Sequence, residues 1–446
     1  MKKLIFTAMF VAGLCSLSAQ PWSQKMVESH GLGDFYCNRA HQNVLGNTGW
    51  DYVGGLVANS VLKAWEMYPE KAEYYAAVKS YADRNISADG KMIITSNGRS
   101  ALGPSNIDDL AAGKVFFMLY REELKKGNTT DADRYKNAAT LIRNTLKSDH
   151  SRIVSGVMGA GGFYHKAQYP SQMWLDGLYM GPAVYAQWQY TFGTADPRDN
   201  TDSWTDIARQ FQIINRYTYD SEKQLNYHAW AALPADSNAF WSNRTEPYMG
   251  ASPEFWGRGM GWYFAALVDV LEIMPKDHPE YGAVLAIYRQ VAAGLKRWQD
   301  PVSGVWFQLL QHDGSVKADG KGDIVRGKAY NVGTQANYLE ASCSCMFTYA
   351  FLKGIRLGYI DKATYGLMTE KAFQGLLTTF IRPNGAKIDI IQSCASAGLG
   401  PFNNPSRTGT VNYYLAGRDV AVVENEGKAI GTFIMAALEH EMAAGK

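Results

Sequence analysis

Charge is scarce in this sequence. Of 446 residues, 44 are Lys or Arg and 42 are Asp or Glu, a formal net charge of +2. Two of the positive charges, Lys2 and Lys3, lie in the first three residues, so the rest is near neutral. A broad basic surface is therefore absent, and no nucleic-acid partner is expected. An acidic ligand would have to be met by local positive charge. Cysteine is also scarce, at five residues, and histidine at eight. A chain of this length buries a core without disulfides. Cys37 and Cys394 stand alone, whereas Cys343 and Cys345 sit in an apolar run and read as buried thiols. A C-x-C pair without neighbouring histidines is a poor metal site, so no metal is expected. There is no H-E-x-x-H, no P-loop and no G-x-S-x-G elbow. Gly257, Gly259 and Gly261 form a G-x-G-x-G, but no strand precedes it and the Rossmann spacing is missing. No cofactor is expected.

Long apolar runs are missing beyond the first residues. Leu4 to Leu14 follow the basic Lys2 and Lys3 and are too few to span a bilayer. Small residues follow at Ser16, Ser18 and Ala19. This pattern predicts an export leader over residues 1–19, cut near Ala19 or Gln20. The remainder, 20–446, is then expected as one soluble domain with no membrane span, with the periplasm its expected location.

What is present is helical periodicity. Apolar residues at Tyr52, Leu56, Val57, Val61 and Leu62 predict a helix from near Asp51, and Tyr74, Tyr75, Val78 and Tyr81 its return partner. Further pairs are predicted at 106–123 with 131–146 and at 171 onward with 204–217. Two more are predicted at 258 onward with 279–298 and at 338 onward with 363–379. A last helix at 428–443 can pair with 23–30. No βαβ alternation or long strand run competes. Twelve helices in six hairpins predict an all-α fold, an (α/α)6 barrel. Its inner helices would be the Gly- and aromatic-rich first members, and loops at one end would form a concave site.

Chemistry-bearing residues cluster near the starts of those inner helices. Asp176, in Gln172-Met173-Trp174-Leu175-Asp176-Gly177, is a charge in an apolar helix. Burial would raise its pKa and make it a proton donor, although a helix cap or a buried ion pair would leave the same trace. Asn106-Ile107-Asp108-Asp109 reads first as a capped helix start. In Trp256-Gly257-Arg258-Gly259-Met260-Gly261-Trp262, glycines permit close backbone approach and Arg258 can fork onto a carboxylate. His165 and His228 follow in Gly-Gly-Phe-Tyr-His and Tyr-His-Ala-Trp. The abundant aromatics suit either a core or sugar stacking.

Taken in order from Trp50, these strings resemble glycoside hydrolase family 105, the unsaturated rhamnogalacturonyl hydrolases, and its relative family 88, the unsaturated glucuronyl hydrolases. Supporting strings are Trp50-Asp51-Tyr52, Tyr338-Leu339-Glu340-Ala341-Ser342 and Val422-Val423-Glu424-Asn425. The resemblance implies an (α/α)6 barrel acting without metal on an acidic oligosaccharide bearing a terminal 4,5-unsaturated uronate, by hydration of the double bond. It implies Asp176 as general acid/base and Asp108 as second carboxylate. Tyr52, His165, His228, Trp256, Arg258 and Trp262 would line the sugar site. Asp109 beside Asp108 leaves the register of the second carboxylate open by one residue. Ala231 stands where the family often places an Asp after His-x-Trp, which questions what holds His228. Arg258 is expected in a loop mouth, between Trp256 and Trp262 as stacking surfaces. A conventional inverting glycosidase on the same barrel is the alternative.

Overall fold

The computed structural model describes residues 20–37, 40–94, 102–103 and 105–445. The expected leader, 1–19, lies outside the described residues. Fourteen α-helices are described: α1 Trp22–Met26, α2 Tyr52–Met67, α3 Ala72–Arg84, α4 Val115–Lys125, α5 Thr129–Asn144, α6 Leu175–Met180, α7 Pro182–Phe192, α8 Pro197–Thr218, α9 Gly257–Ile273, α10 Tyr281–Arg297, α11 Ala341–Arg356, α12 Lys362–Phe380, α13 Val411–Ala416 and α14 Gly427–Ala443. A 3-10 segment, Ile107–Lys114, runs directly into α4. None of the described helices is long and apolar enough to cross a membrane.

The helices pair as the periodicity predicts: α2 with α3, α4 with α5, α7 with α8, α9 with α10, α11 with α12, and α14 with α1. The first members then close a ring. The segment Ile107–Lys114 packs on α2 and α6, α6 on α9, α9 on α11, α11 on α14, and α14 back on α2. The result is an (α/α)6 barrel. Composition explains which helix lies inside. In α9 every residue from Gly257 to Val268 is buried, whereas α8 and α10 bury one stripe and solvate the other. A helix apolar all round has to be enclosed.

Glycines set the closeness of the ring. A Cβ on Gly55 of α2 would lie 2.4 Å from the Ala112 Cα of the neighbouring segment, and one on Gly261 of α9 2.6 Å from the Met346 Sδ of α11. At Gly55 the neighbouring backbone leaves no room for a side chain, and at Gly261 the Met346 side chain already fills the space. Cys343 and Cys345 are buried thiols, and Cys37 and Cys394 are free as well. The strands that the periodicity did not predict are two-residue to four-residue pieces forming six two-stranded ladders. Most join loops at the ring's ends.

Because the inner helices run the same way, their starts share one end. Asp51, Asn106, Glu340 and Glu426 cap α2, the 3-10 segment, α11 and α14 by accepting from first-turn amides. The start of α9 has no side-chain cap, so its partial positive charge stays available at this end. Gly55→Ala should therefore destabilise the protein by about 1–3 kcal/mol, the usual cost of overpacking. Urea unfolding checks this; an unchanged midpoint would mean that α2 and the Asp108 segment can separate freely.

Candidate active site

Two short ladders assemble the site. Strand Gln172–Trp174 pairs antiparallel with Ala229–Ala231, Trp174 opposite Ala229, and the Leu175 amide donates to the His228 carbonyl at 2.9 Å. This brings Asp176 and His228 together although 52 residues separate them. On the other side the His165 amide donates to the Gln172 carbonyl at 2.8 Å, while the His165 carbonyl accepts from the Ile107 amide at 3.2 Å. Asp108, His165 and Asp176 thus belong to one backbone network at the starts of the inner helices.

His228 Nε2 lies 2.9 Å from Asp176 Oδ2, and His228 Nδ1 lies 2.5 Å from the Tyr414 hydroxyl. His228 and Tyr414 are fully buried, and the Asp176 side chain is 13% exposed. The expectation that burial raises the Asp176 pKa is overturned. Burial, the largest influence, pushes it up, but the electrostatic attraction and hydrogen bond of His228, joined by His165, outweigh it and hold the carboxyl below its ordinary range. Asp176 is therefore a carboxylate at rest and can only accept. Burial first, and then neighbouring Tyr413 and Asp176, raise the Tyr414 phenol well above its usual range, so it keeps its proton. The consistent assignment has Tyr414 donating to Nδ1 and Nε2–H donating to Asp176. Tyr414, on α13, thus supplies the contact to His228 that Ala231 cannot.

The second carboxylate is set differently. Asp108 Oδ2 is 2.7 Å from Lys166 Nζ, and Oδ1 is 3.6 Å from His165 Nε2. Asp109 hydrogen-bonds Asn106 at 3.0 Å. Burial, then Asp108, push its pKa up to about 6. Burial also lowers the His165 pKa to about 4, against the opposing pull of Asp108, so its ring is neutral. That ring stacks on Trp174 at 4.3 Å, and Trp174 stacks on Tyr169 at 4.8 Å. Of the adjacent carboxylates, Asp108 is the one that shares His165 with Asp176.

Arg258 is not in a loop mouth. It lies in the first turn of α9 and is 1% exposed. Its Nη1 donates to the Cys394 carbonyl at 2.5 Å and to Ser342 Oγ at 3.3 Å. Its guanidinium lies over Trp256, 5.0 Å from the ring centroid. Trp256 and Trp262 are likewise buried; Trp256 packs on His228 and Tyr414, and Trp262 on Tyr52 and Tyr179. Neither offers the open stacking face expected of it. Tyr52 is half-buried at the start of α2. Gly259 lets α9 approach, since a Cβ there would lie 3.0 Å from the His228 ring and 3.6 Å from Asp176 Oδ2. Cations at this end that sequence reasoning missed are Lys166 and Arg407. The latter pairs with Asp419, and its Nη1 would lie 3.2 Å from a Cβ on Gly398, which would also touch Trp174. Lys166 directly follows His165 and could have been suspected. Arg407 lies in a long loop without any periodic signal.

Two outcomes follow. Arg258→Ala should lower stability by about 3–5 kcal/mol, because it strips a buried charge from the field of Glu340 and Glu426. A normally folded variant that had only lost substrate affinity would contradict this. Asp109 has a folded pKa near 6 against about 3.9 in an unfolded chain. The native state thus binds the proton more tightly, so Asp109 costs stability fully above pH 6 and not at all below pH 4. Asp109→Asn should accordingly stabilise by about 3 kcal/mol at pH 8, a gain that vanishes by pH 4. Melting curves across that range check it; a gain independent of pH would show that Asp109 is not buried as an acid.

Comparison with known proteins places this arrangement. The Glycosyl Hydrolase Family 88 model matches residues 29–320 and 329–444. A glycoside hydrolase from family 105 of C. acetobutylicum is 32% identical, with a TM-score of 0.76, over 95% of this chain and 100% of that one. The unsaturated rhamnogalacturonyl hydrolase YesR of Bacillus subtilis is 24% identical over 58% of this chain and 64% of its own length. The unsaturated glucuronyl hydrolase of Bacillus sp. GL1 shares the fold, with a TM-score of 0.53 at 12% identity over 94% of this chain and 97% of that one. The chain belongs to the family 88 and family 105 glycoside hydrolases.

Proposed function

We propose that this enzyme removes a 4,5-unsaturated uronate from the non-reducing end of lyase-generated oligosaccharides, with unsaturated rhamnogalacturonan from pectin as its substrate class. The observation that carries the reading is the buried Asp176 held by His228, one carboxylate engaged by a proton-carrying ring, beside an Asp108 already neutralised by Lys166. Two free carboxylates flanking an anomeric carbon are what ordinary glycosidases need. A hydration needs one proton-shuttling acid and a bound water.

The unsaturated ring is an enol ether. A proton delivered to C4 leaves a cation shared by C5 and the ring oxygen, and water adds at C5. The resulting hemiketal opens, and the hemiacetal left at C1 expels the remaining sugar. Asp176 is the group that would give the proton and then take one from the water. Its resting carboxylate state is no obstacle. A uronate carboxylate docking beside it adds like charge and excludes solvent, and both raise its proton affinity. The proton is then taken up from solvent as the substrate docks, while His228, held by Tyr414, keeps the carboxyl oriented toward C4. Asp108, His165 and Tyr52 are placed to hold ring hydroxyls. Lys166 and Arg407 are already paired with Asp108 and Asp419, so the uncapped start of α9 supplies the local positive potential that an acidic sugar requires. Arg258 braces Trp256 from behind.

The Asp176→Asn substitution keeps the shape and removes the proton. Turnover of an unsaturated disaccharide, followed by loss of its ultraviolet absorbance, should fall on the order of 10²–10⁴. Near-normal turnover would sink the assignment.

A further inference from the structure

The barrel has a second opening. At the end opposite Asp176 the lumen widens into a cavity of about 720 Å³ to which all six hairpins contribute. Its charged groups are mostly matched. Lys353 bonds Asp269 at 2.6 Å and Glu272 at 2.7 Å. Arg356 grips Glu439 through two contacts of 2.7 and 2.8 Å, and Arg121 meets Glu66 at 3.1 Å. Arg356 also lies in the last turn of α11, where a cation suits the helix dipole. Two lysines have no such account.

Lys114, at the junction of the 3-10 segment and α4, is 4% exposed, and its Nζ has no hydrogen-bond partner. Its nearest described company is the face of Tyr179, 2.9 Å from the ring centroid. Lys63 of α2 also lines the cavity; its charge acts on Asp269 and Glu272, but it bonds no carboxylate directly among the described residues. A buried amine without a partner is costly, and natural interiors rarely keep one. Around the two lysines the wall is soft and apolar, with Met67, Phe117, Met118, Ile273 and Leu438. Methionine-lined walls adapt to varied apolar shapes.

We propose that this cavity is a second ligand site, which takes a small organic carboxylate with an apolar body, the carboxylate pairing with Lys114 and Lys63. The volume falls in the range of small-molecule sites. Glu66, Glu272 and Glu439 on its wall, and Asp269 beside them, are already bonded by Arg121, Lys353 and Arg356, so an arriving carboxylate meets two amines that lack a bonded counter-ion. The apolar wall favours a hydrocarbon or aromatic body over a sugar. Nothing in the proposed reaction uses these groups.

The ligand's arrival has a protonic signature. Burial lowers the Lys114 pKa well below its ordinary range; Asp269 opposes this, while Lys63 and Lys353 add to it. Glu272 and Glu439, from α9 and α14, are held by Lys353 and Arg356, and Tyr179 and Tyr349 face the lumen as neutral phenols. A bound carboxylate supplies the missing counter-charge, so Lys114 takes up a proton on binding. Affinity then strengthens as pH falls.

Titration calorimetry of the whole protein with octanoate and benzoate, in buffers of different ionisation enthalpy, tests this. The expected result is one saturable site with net proton uptake, weaker for octanol and glucuronate, and not displaced by an unsaturated disaccharide. Lys114→Met should weaken octanoate binding at least about tenfold while leaving turnover unchanged. Should Lys114→Met not fold, Lys63→Met carries the same expectation with a smaller loss. No saturable heat below about 10 mM, equal binding of octanol, or unaltered affinity in the folded variant would overturn the proposal.

Discussion

Everything at the catalytic end turns on one buried hydrogen-bond chain, Tyr414 to His228 to Asp176. A carboxylate enclosed by Trp, Leu and Gly is costly unless its charge is met. Here it is met by an imidazole whose other nitrogen is held by a phenol. That chain fixes the tautomer of His228 and the direction of Asp176. It also ties three distant segments, the start of α6, the strand Ala229–Ala231 and the short helix α13, to one point. The ladder between Gln172–Trp174 and Ala229–Ala231, the bare start of α9 and the glycine at 259 all serve to let these groups approach.

The barrel gives its two ends opposite electrostatic characters. Four of the six inner starts are capped by side chains of the chain itself; the starts of α6 and α9 carry no such cap, and it is there, beside Asp176, that positive potential and close approach coincide. The far end collects helix C-termini, and its arginines and carboxylates neutralise one another. Between them stand aromatic rings, the half-buried Tyr52 and the buried Trp262 and Tyr179, whose packing keeps the lumen from being a pore. Substrate recognition by a nearly neutral protein is then a matter of local placement rather than of overall charge.

Much of this was legible in the sequence. The 3.6-residue periodicity located all six hairpins, the third less closely, since 172–174 form a strand and α8 begins at Pro197 rather than near 204; it did so because inner and outer helices differ in how much of their circumference is apolar. Asp176 stood out for the same reason that makes it notable in the structure, a charge in an apolar helix. Its pKa was misjudged because burial was legible and the partner was not: His228 is 52 residues away, and Tyr414 a further 186 from His228. Arg258 reads in the sequence as a loop-mouth residue, because the glycines on both sides permit close backbone approach to a ligand. Those glycines instead let α9 lie against its neighbours, and the arginine went inside with it. Short ladders such as Gln172–Trp174 with Ala229–Ala231 leave too few residues for an alternating pattern to register.

The central claim is that the bond chemistry happens at C4 and C5 and not at the anomeric carbon. An unsaturated uronate joined to its neighbour through sulfur tests this most directly. A conventional glycosidase must protonate the linking atom, and sulfur accepts that proton poorly. Hydration of the ring double bond does not involve the linking atom until the ring has opened. The account predicts that the sulfur-linked substrate loses its double-bond absorbance at a rate comparable to that of the oxygen-linked one and releases a thiol. An enzyme that cleaves the oxygen-linked compound but leaves the sulfur-linked one intact would contradict it.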